Sequence, residues 1–142
     1  PVTFPNLVNA SGSPYPTRIQ VSGMAGQLSK VTISLNGLSH ASPDDLDLMV
    51  GGPNGANLIV LSDVGGATPI NGLNLVLDST AASSLPDSTA LSSGTFRPTD
   101  FQSGSDTFAA PAPSTGNFSA STVSLTTAFD AINPNGVWTL WT

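Results

Sequence analysis

Aspartates beside the predicted strand ends are the residues of this sequence best suited to chemistry. Asp44 and Asp45 precede an alternating segment, whereas Asp63 and Asp78 each follow one. Asp87 lies in a long segment rich in Ser and Ala. Calcium takes about six to eight oxygen ligands, many of them carboxylate oxygens from loops, so these residues are candidate Ca²⁺ ligands. Asp is also a common turn residue, and on residue type alone that role is the commoner one.

The nucleophiles and bases of the sequence do not favour an enzyme. His40 is the only histidine, and no Gly-x-Ser-x-Gly motif surrounds any serine. The position of His40 beside Asp44 and Asp45 favours a structural hydrogen-bonding role. Asp45 and Asp47 share one face of a predicted strand, roughly 7 Å apart, but residues at i and i+2 do so in every strand. We therefore predict a non-catalytic protein with no catalytic residues.

Two tryptophans lie near the C-terminal end of the sequence. Trp138 and Trp141 are three residues apart, so on a strand they point to opposite faces and do not form one platform for a sugar ring. Trp138, together with Leu140, is predicted to lie in the core. Trp141 is predicted to lie at an edge or an interface and to contribute to assembly.

The composition favours an all-β protein with little or no helix. All nine acidic residues are Asp, the basic residues are Arg18, Lys30 and Arg97, and 14 Gly and 12 Pro punctuate the 142 residues. Asp, Gly and Pro favour turns, whereas the Glu and Lys typical of helix surfaces are scarce. A net charge of −6 argues against nucleic acid as a partner, and no apolar run approaches a membrane span. The absence of Cys excludes disulfides and thiolate metal sites.

Short alternations of apolar and polar residues predict the strands. The predicted segments are 18–22, 30–38, 46–50, 57–61, 73–77, 119–129 and 137–141. In the first segment, Ile19 and Val21 are predicted to face the core. The segment 57–61 is uniformly apolar and is predicted to be a central strand.

The stretch from Ser39 to Gly55 combines acidic residues, a strand and a turn. Its strand places Leu46, Leu48 and Val50 on one face and Asp47 and Met49 on the other. The pattern predicts a half-buried strand with an oxygen-rich site at the rim of the sheet.

A long segment, 79–116, lacks strand periodicity. Loops of this length inside a domain are uncommon and are usually functional or cover an edge. Phe96, Phe101 and Phe108 recur in it and are predicted to pin it over the mouth of the sandwich. Six to eight short strands separated by turn signals predict a β-sandwich of jelly-roll type.

The N-terminal segment 1–14 is predicted to be an extended arm. Its prolines disfavour a helix, and Val2, Phe4 and Leu7 are too apolar for a free tail. We therefore expect these three side chains to pack on a protein surface and predict that they contribute, with Trp141, to assembly.

A set of motifs spread over the chain resembles the P domain of subtilisin-like proprotein convertases, in its stand-alone bacterial form. The motifs are His40, DL at 45–46, PNG at 53–55, DVGG at 63–66, LD at 77–78, GTFRP at 94–98 and NGVWTL at 135–140. The resemblance covers residues 15–142. It implies an eight-stranded jelly-roll sandwich without catalytic activity, often calcium-binding, that serves as a folding or adhesion accessory. With this implication, calcium is preferred to turn formation for Asp44, Asp45, Asp63, Asp78 and Asp87.

The end of the sequence departs from the family pattern. Members continue past Trp-Thr-Leu through a loop into another strand that contains Trp, whereas this sequence stops at Thr142. A sandwich one strand short has an open edge, which proteins seldom leave uncovered. The arm is predicted to supply the strand, within the chain or to a neighbouring subunit, and a head-to-tail contact that does not close builds a filament. A shortened fragment is the equal alternative.

Two functional hypotheses follow. The first is a secreted bacterial module, extracellular or on the cell surface, that binds Ca²⁺ and assembles as a homo-oligomer, a fibre or a layer. The alternative is an accessory domain of a secreted multidomain hydrolase, which stabilises that enzyme or binds its substrate.

Overall fold

The computed structural model describes residues 1–4, 10–102, 106–113 and 124–142. Its regular structure consists of short strands and two single-turn helices. The strands are β1 (Thr17–Val21), β2 (Ile33–His40), β3 (Leu48–Gly51), β4 (Asn57–Ser62), β5 (Ile70–Leu77), β6 (Gly94–Phe96), β7 (Thr99–Asp100) and β8 (Gly136–Trp141). The helices are a 3-10 turn at Pro43–Asp45 and α1 at Leu125–Phe129.

The strands form two mixed sheets. The larger sheet has the order β1-β8-β3-β4-β7 and the smaller has the order β2-β5-β6. Neighbours are antiparallel except β4 with β7 and β5 with β6, which are parallel. The chain passes from the smaller to the larger sheet at Arg97 and Pro98, between β6 and β7. The predicted all-β class with little helix is confirmed, and the jelly-roll topology stays a prediction.

The main core lies between the two sheets. Leu48 and Leu58 from the larger sheet and Leu75 and Leu77 from the smaller sheet are all inaccessible to solvent within it. Burial of one such side chain stabilises the folded state by about 1.5–3 kcal/mol. The hydrophobic effect in this core is therefore the main interaction that holds the two sheets together.

The alternation predicted for the third strand is confirmed. Leu46, Leu48 and Val50 belong to the main core, whereas Met49 points to the other face of the sheet and joins a second cluster. The central position predicted for 57–61 is also confirmed, since β4 lies between β3 and β7 and is buried from its second residue onward.

The second cluster covers the outer face of the larger sheet. Met49, Ile59 and Trp141 form its buried centre, and Tyr15 and Phe108 pack against them. The Tyr15 and Trp141 rings meet edge to face with centroids 5.7 Å apart. Phe96 and Phe101 pack on the main core instead, so the three phenylalanines of segment 79–116 do attach it to the sheets.

Trp141 does not lie at an edge, and that prediction is wrong. Strand β8 lies between β1 and β3, and Trp141 is 7% exposed under Tyr15. Its assembly role stays a prediction. Trp138 points to the other face, where its ring is 5.1 Å from that of Phe129 in the main core, as its predicted core position requires.

The inward orientation predicted for Ile19 does not bury it. Ile19 is opposite Trp138 in the ladder of β1 and β8 and therefore shares its face, yet Ile19 is 64% exposed. Strand β1 is the outermost of five strands, and the facing sheet has only three. The smaller sheet therefore leaves the core face uncovered at this edge.

The strand predicted over 119–129 is wrong where the structure describes it. Residues 125–129 form α1, while 119–123 lie outside the described residues. Ser124 caps the helix by accepting a hydrogen bond from the Thr127 amide at 3.0 Å, and Leu125 and Phe129, four residues apart, bury one face. In the described ranges, no helix is long and apolar enough to cross a membrane.

The N-terminal arm contacts its own chain. The backbones of Thr3 and Ser13 exchange two hydrogen bonds of 3.0 and 2.9 Å. Val2 is half-buried, and Phe4 packs against the main core. The third apolar residue of the arm, Leu7, lies outside the described residues.

Replacement of the two tryptophans by phenylalanine tests this packing. The indole Nε1 of Trp141 is buried and has no hydrogen-bond partner among the described residues, whereas that of Trp138 donates to the Pro134 carbonyl at 3.0 Å. Trp141→Phe removes an unsatisfied donor and is expected to change the free energy of unfolding by less than about 1 kcal/mol, while Trp138→Phe costs about 1 kcal/mol more. Trp141→Ala is expected to cost about 3–5 kcal/mol. Urea denaturation measures all three, and a tolerated Trp141→Ala would contradict the burial.

Candidate functional site: an aspartate cluster

Pairing between β3 and β4 brings the first two acidic side chains together. Asp47 immediately precedes β3, and Asp63 immediately follows β4. The strands are antiparallel with Leu48 opposite Leu61, so the start of one lies beside the end of the other. Asp47 and Asp63 therefore meet on either side of Ser62, the last residue of β4.

A third acidic side chain joins them from the segment after β7. One carboxylate oxygen from each of Asp47, Asp63 and Asp106 lies within 4.8 Å of the other two. All three residues are half-buried. We call these three residues the aspartate cluster.

Ser62 supplies the hydrogen bond at the centre of the cluster. Its hydroxyl lies 2.8 Å from Asp47 Oδ1 and 3.1 Å from Asp63 Oδ2, and one hydroxyl hydrogen serves one acceptor at a time. Gln102 Nε2 donates to Asp63 Oδ1 at 3.3 Å.

Burial and like charges work against ionisation throughout the cluster. The pKa of Asp47 is raised to about 6, with burial as the largest cause. The Ser62 hydrogen bond lowers this pKa, and the charges of Asp106, Asp63 and Asp100 contribute to raising it. Burial also raises the pKa of Asp63 and of Asp106. Both causes disfavour the charged form, so the site favours a bound proton or a bound cation.

The loop 63–66 holds Asp63 in place through unusual backbone angles. Asp63 has a φ of 52°, which Asp and Asn adopt more readily than other residues. Gly65 has a φ of 81° and packs closely on Leu91. A Cβ atom added to Gly65 would lie 2.5 Å from Cγ of Leu91. The Gly65 amide donates to the Pro86 carbonyl at 2.9 Å. Gly65 and Gly66, which lack a side chain, therefore allow this loop to pack directly against the segment around residue 87.

The structure brings together some of the predicted ligands. Asp63 is in the aspartate cluster, and Asp44 and Asp87 are close enough for their charges to raise the pKa of Asp63. Asp45 is exposed on the 3-10 turn. Asp78 does not join them.

Asp78 forms an ion pair instead. Its Oδ2 lies 2.7 Å from Lys30 Nζ, and its Oδ1 accepts from the Thr80 amide and hydroxyl, each at 2.8 Å. The hydrogen bond from Lys30 is the largest cause that lowers the pKa of Asp78 to about 2. The prediction that Asp78 shares a site with Asp63 is therefore not met.

Sequence reasoning missed Asp47 and Asp106 as site residues. Asp47 had a usable signal, because it lies on the face opposite Leu46 and Leu48 immediately before a strand. Asp106 had none, because its position depends on the course of segment 79–116, which has no periodicity.

His40 takes no part in the cluster. Its Nδ1 lies 2.6 Å from the Ser42 carbonyl and 3.3 Å from the Ser42 amide, an arrangement that fixes the turn after β2. The structural role expected for this side chain fits these contacts.

Comparison of the chain with protein-family models, with curated proteins and with solved structures finds no match. The P-domain resemblance therefore stays an expectation, and the argument for function depends on the geometry of the site.

The pKa of Asp47 gives the metal-free protein a pH-dependent stability. A carboxyl whose folded-state pKa is raised stabilises the fold below its unfolded pKa, near 4, and loses that contribution as pH rises through about 6. The shift corresponds to at most about 3 kcal/mol, and solvent screening reduces it to roughly 1–2 kcal/mol. Part of this contribution is already lost below pH 5, so in chelator-treated protein the free energy of unfolding should fall by roughly 0.5–1 kcal/mol between pH 5 and pH 8.

Asp47→Asn should reduce this pH dependence and stabilise the metal-free protein at pH 8, since Asn keeps the Ser62 contact without the charge, while Asp63 and Asp106, whose pKa values are also raised, leave a smaller slope of the same sign. Asp78 stays ionised throughout this pH range and does not interfere. Asp45→Asn, at an exposed Asp outside the cluster, is the matched control and should keep the wild-type slope. Equal slopes for wild type and Asp47→Asn in urea denaturation would refute the assignment.

Proposed function

We propose that this chain is a non-catalytic, calcium-binding β-sandwich module that acts outside the cell as a subunit of a larger assembly. The convergence of the three carboxylates in the aspartate cluster carries the calcium part of the proposal. The remaining parts are supported by the composition and by an exposed sheet edge.

The distances within the aspartate cluster suit one Ca²⁺ ion. Calcium–oxygen distances of about 2.3–2.6 Å place two ligands of one ion at most about 5 Å apart. The 4.8 Å limit on the oxygens of the cluster lies within that span. An ion there would be bound by Asp47, Asp63 and Asp106, with water and carbonyl oxygens at the other positions.

The chemistry of the donors favours Ca²⁺ over other ions. The cluster offers only oxygen ligands, and the sequence has no Cys and one His, which lies elsewhere. Mg²⁺ usually keeps several waters and takes one or two carboxylates, whereas three carboxylates are typical of a calcium site. The charges of Asp44, Asp87 and Asp100, which act on members of the cluster, add further attraction for a divalent cation.

Calcium should stabilise the protein because it binds only the folded arrangement. A hundred-fold excess of Ca²⁺ over its Kd contributes about 2.7 kcal/mol, which raises the Tm of a domain of this size by roughly 5–15 °C. Asp63→Asn is a suitable test variant, since Asn tolerates the positive φ of this position. Isothermal titration calorimetry and thermal unfolding at pH 7.5 measure the effect.

Asp63→Asn and Asp47→Asn should lower the affinity at least about ten-fold, because each removes a charged ligand. Asp45→Asn should bind as the wild type does. Calcium that leaves the wild-type Tm unchanged, or an equal loss in Asp45→Asn, would exclude a site at the cluster.

The composition supports a role outside the cell. Only 8% of the residues are charged, and three of them are basic. The surface is accordingly covered mainly by Ser, Thr, Asn and Gly. Extracellular fluids usually contain enough Ca²⁺ to load sites with dissociation constants of about 10⁻⁴–10⁻³ M, the range of extracellular modules.

The edge strand β1 supports assembly. It pairs on one side with β8, and within the part of the chain that the structure describes no strand pairs with its other side. Ile19 at its centre is 64% exposed, and the exposed residues Arg18 and Gln20 flank it. An edge of this kind accepts another strand readily, and the addition of subunits edge to edge builds a fibre or a layer.

Ile19→Lys should prevent this assembly, since a charge on an edge strand opposes strand addition. Val137→Lys is the control, because Val137 is 43% exposed but lies on β8, an interior strand. Sedimentation velocity and electron microscopy of the wild type with Ca²⁺ should show oligomers or fibres that Ile19→Lys loses and Val137→Lys keeps. Monomers alone in the wild type, or equal loss in both variants, would exclude assembly through β1.

A further inference from the structure

A cleft lies at the point where the chain changes sheets. Strands β6 and β7 are edge strands of the smaller and larger sheets. Residues 97–101, which begin directly after β6 and include β7, form one wall of the cleft. Its volume is about 360 Å³. Ser79, Ser84 and Ser124 complete the lining.

Arg97 is held in a fixed orientation in this cleft by neutral partners. Its Nη1 donates to the carbonyls of Ala81 and Ala82 at 3.3 and 3.1 Å, and its Nη2 donates to Ser84 Oγ at 3.1 Å. These bonds use three of the five guanidinium hydrogens and leave the Nε hydrogen and one Nη2 hydrogen. The remaining donors belong to Nε and Nη2, the two nitrogens that form one edge of the planar group.

The charge of Arg97 has no carboxylate partner within ion-pair distance in the described ranges, where Lys30–Asp78 is the ion pair that forms. A fixed cation with hydrogen-bonded neutral neighbours differs from the usual mobile surface arginine, because its side-chain entropy is already lost in the folded protein. An anion that binds it therefore loses little further entropy.

The serines of the cleft present hydrogens rather than lone pairs to a ligand. Ser79 Oγ accepts from the Leu125 amide at 2.9 Å, and Ser84 Oγ accepts from Arg97. Their hydroxyl hydrogens have no acceptor among the described residues and can be donated. Together with Arg97, the cleft offers several donors, which match a ligand rich in acceptor oxygens.

We propose that this cleft binds a carboxylate group, with Arg97 as its bidentate anchor and the Ser79 and Ser84 hydroxyls as additional donors. A planar carboxylate fits the two remaining guanidinium hydrogens. The proposal favours a monoanion over a phosphate dianion, because one cation faces the ligand, Asp100 lines the same cleft and the chain carries a net charge of −6. The half-buried Phe101 provides an apolar wall for the body of the ligand.

The residues of the cleft are separate from those of the calcium site. None of Asp47, Asp63 and Asp106 lines the cleft, so loss of calcium binding leaves the carboxylate anchor in place. Two sources of the same group are a uronic acid and the C-terminus of a peptide, and the test separates them.

The experiment compares acids with their neutral counterparts at constant ionic strength. Galacturonate and galactose form one pair, and N-acetylalanine and N-acetylalanine amide form the other. Chemical-shift perturbation of the full chain by ¹⁵N NMR, with each probe titrated to 50 mM in the presence of a chelator and again with Ca²⁺, follows the binding. Each acid that binds should shift the amides of residues 79–84 and 97–101, and its neutral counterpart should not.

Three variants locate the anchor. Arg97→Gln should weaken binding of the acid at least about ten-fold, and Arg97→Lys, which keeps the charge but not the fork, should give an intermediate loss. Arg18→Gln removes another exposed arginine, on β1, and should bind as the wild type does. Because Arg97 also holds Ala81 and Ala82, the NMR spectrum of each variant is first checked for the folded pattern, and Ser79→Ala provides a second variant that leaves those contacts intact and should weaken binding.

Equal shifts from the acid and its neutral counterpart in both pairs would overturn the proposal. So would the absence of shifts at 50 mM, or equal losses in Arg97→Gln and Arg18→Gln. Binding of one acid and not the other supports the proposal and identifies the source of the carboxylate.

Discussion

Burial of the carboxylates of the aspartate cluster and their mutual repulsion destabilise the folded protein, and the packing of the core must offset this effect. The ladder between β3 and β4 forces Asp47 and Asp63 together, and the buried side chains of those strands prevent the ladder from opening. Leu48 and Leu61, the pair next to the site, are inaccessible to solvent. The buried apolar side chains of β3 and β4 thus hold Asp47 and Asp63 close together although their charges repel each other. Such opposition is common at binding sites, where a ligand relieves it.

The unequal width of the two sheets explains where the molecule exposes apolar surface. Three strands cannot cover the core face of five, so β1 extends past the smaller sheet and exposes Ile19. The outer face of the larger sheet has a different cover, because Tyr15 and Phe108 pack over Met49 and Trp141. Segments outside the sheets therefore protect one face while an edge of the other stays open. The assembly proposal depends on this asymmetry.

The periodic segments were predictable from sequence, and the site was predictable only in part. The faces of β3 and the central position of β4 follow from local alternation, which tertiary packing preserved. The helix 125–129 was mistaken for a strand because its apolar residues at i and i+4 lie in a run rich in Thr, where local propensity favours a strand. Asp63 was identified from its position after a strand, yet the same rule selected Asp78, because sequence does not show that Lys30 faces it.

Long-range pairing accounts for the rest of what sequence reasoning missed. Trp141 was predicted at an edge or an interface because it faces away from Trp138, whereas the structure places β8 between β1 and β3 and covers Trp141 with Tyr15. Asp106 entered the aspartate cluster through a segment with no periodic signal. Arg97 lies within the GTFRP motif at 94–98, but that motif did not indicate a site, since the orientation of Arg97 comes from three oxygens that lie 13 to 16 residues away in the chain.

The two proposed sites share Asp100 as a neighbouring charge, and that charge couples them electrostatically. Asp100, the last residue of β7, lines the cleft and also raises the pKa of Asp47 and Asp106 through its charge. A cation at the cluster offsets the negative potential that Asp100 and its neighbours create, so it lowers the repulsion felt by a carboxylate beside Arg97. Linkage makes the effect reciprocal, because a bound carboxylate must then strengthen cation binding by the same factor. The sign of that coupling is opposite to the one expected if both ligands were cations. In a chain with a net charge of −6, binding of a cation at the aspartate cluster thus raises the affinity of the cleft for an anion.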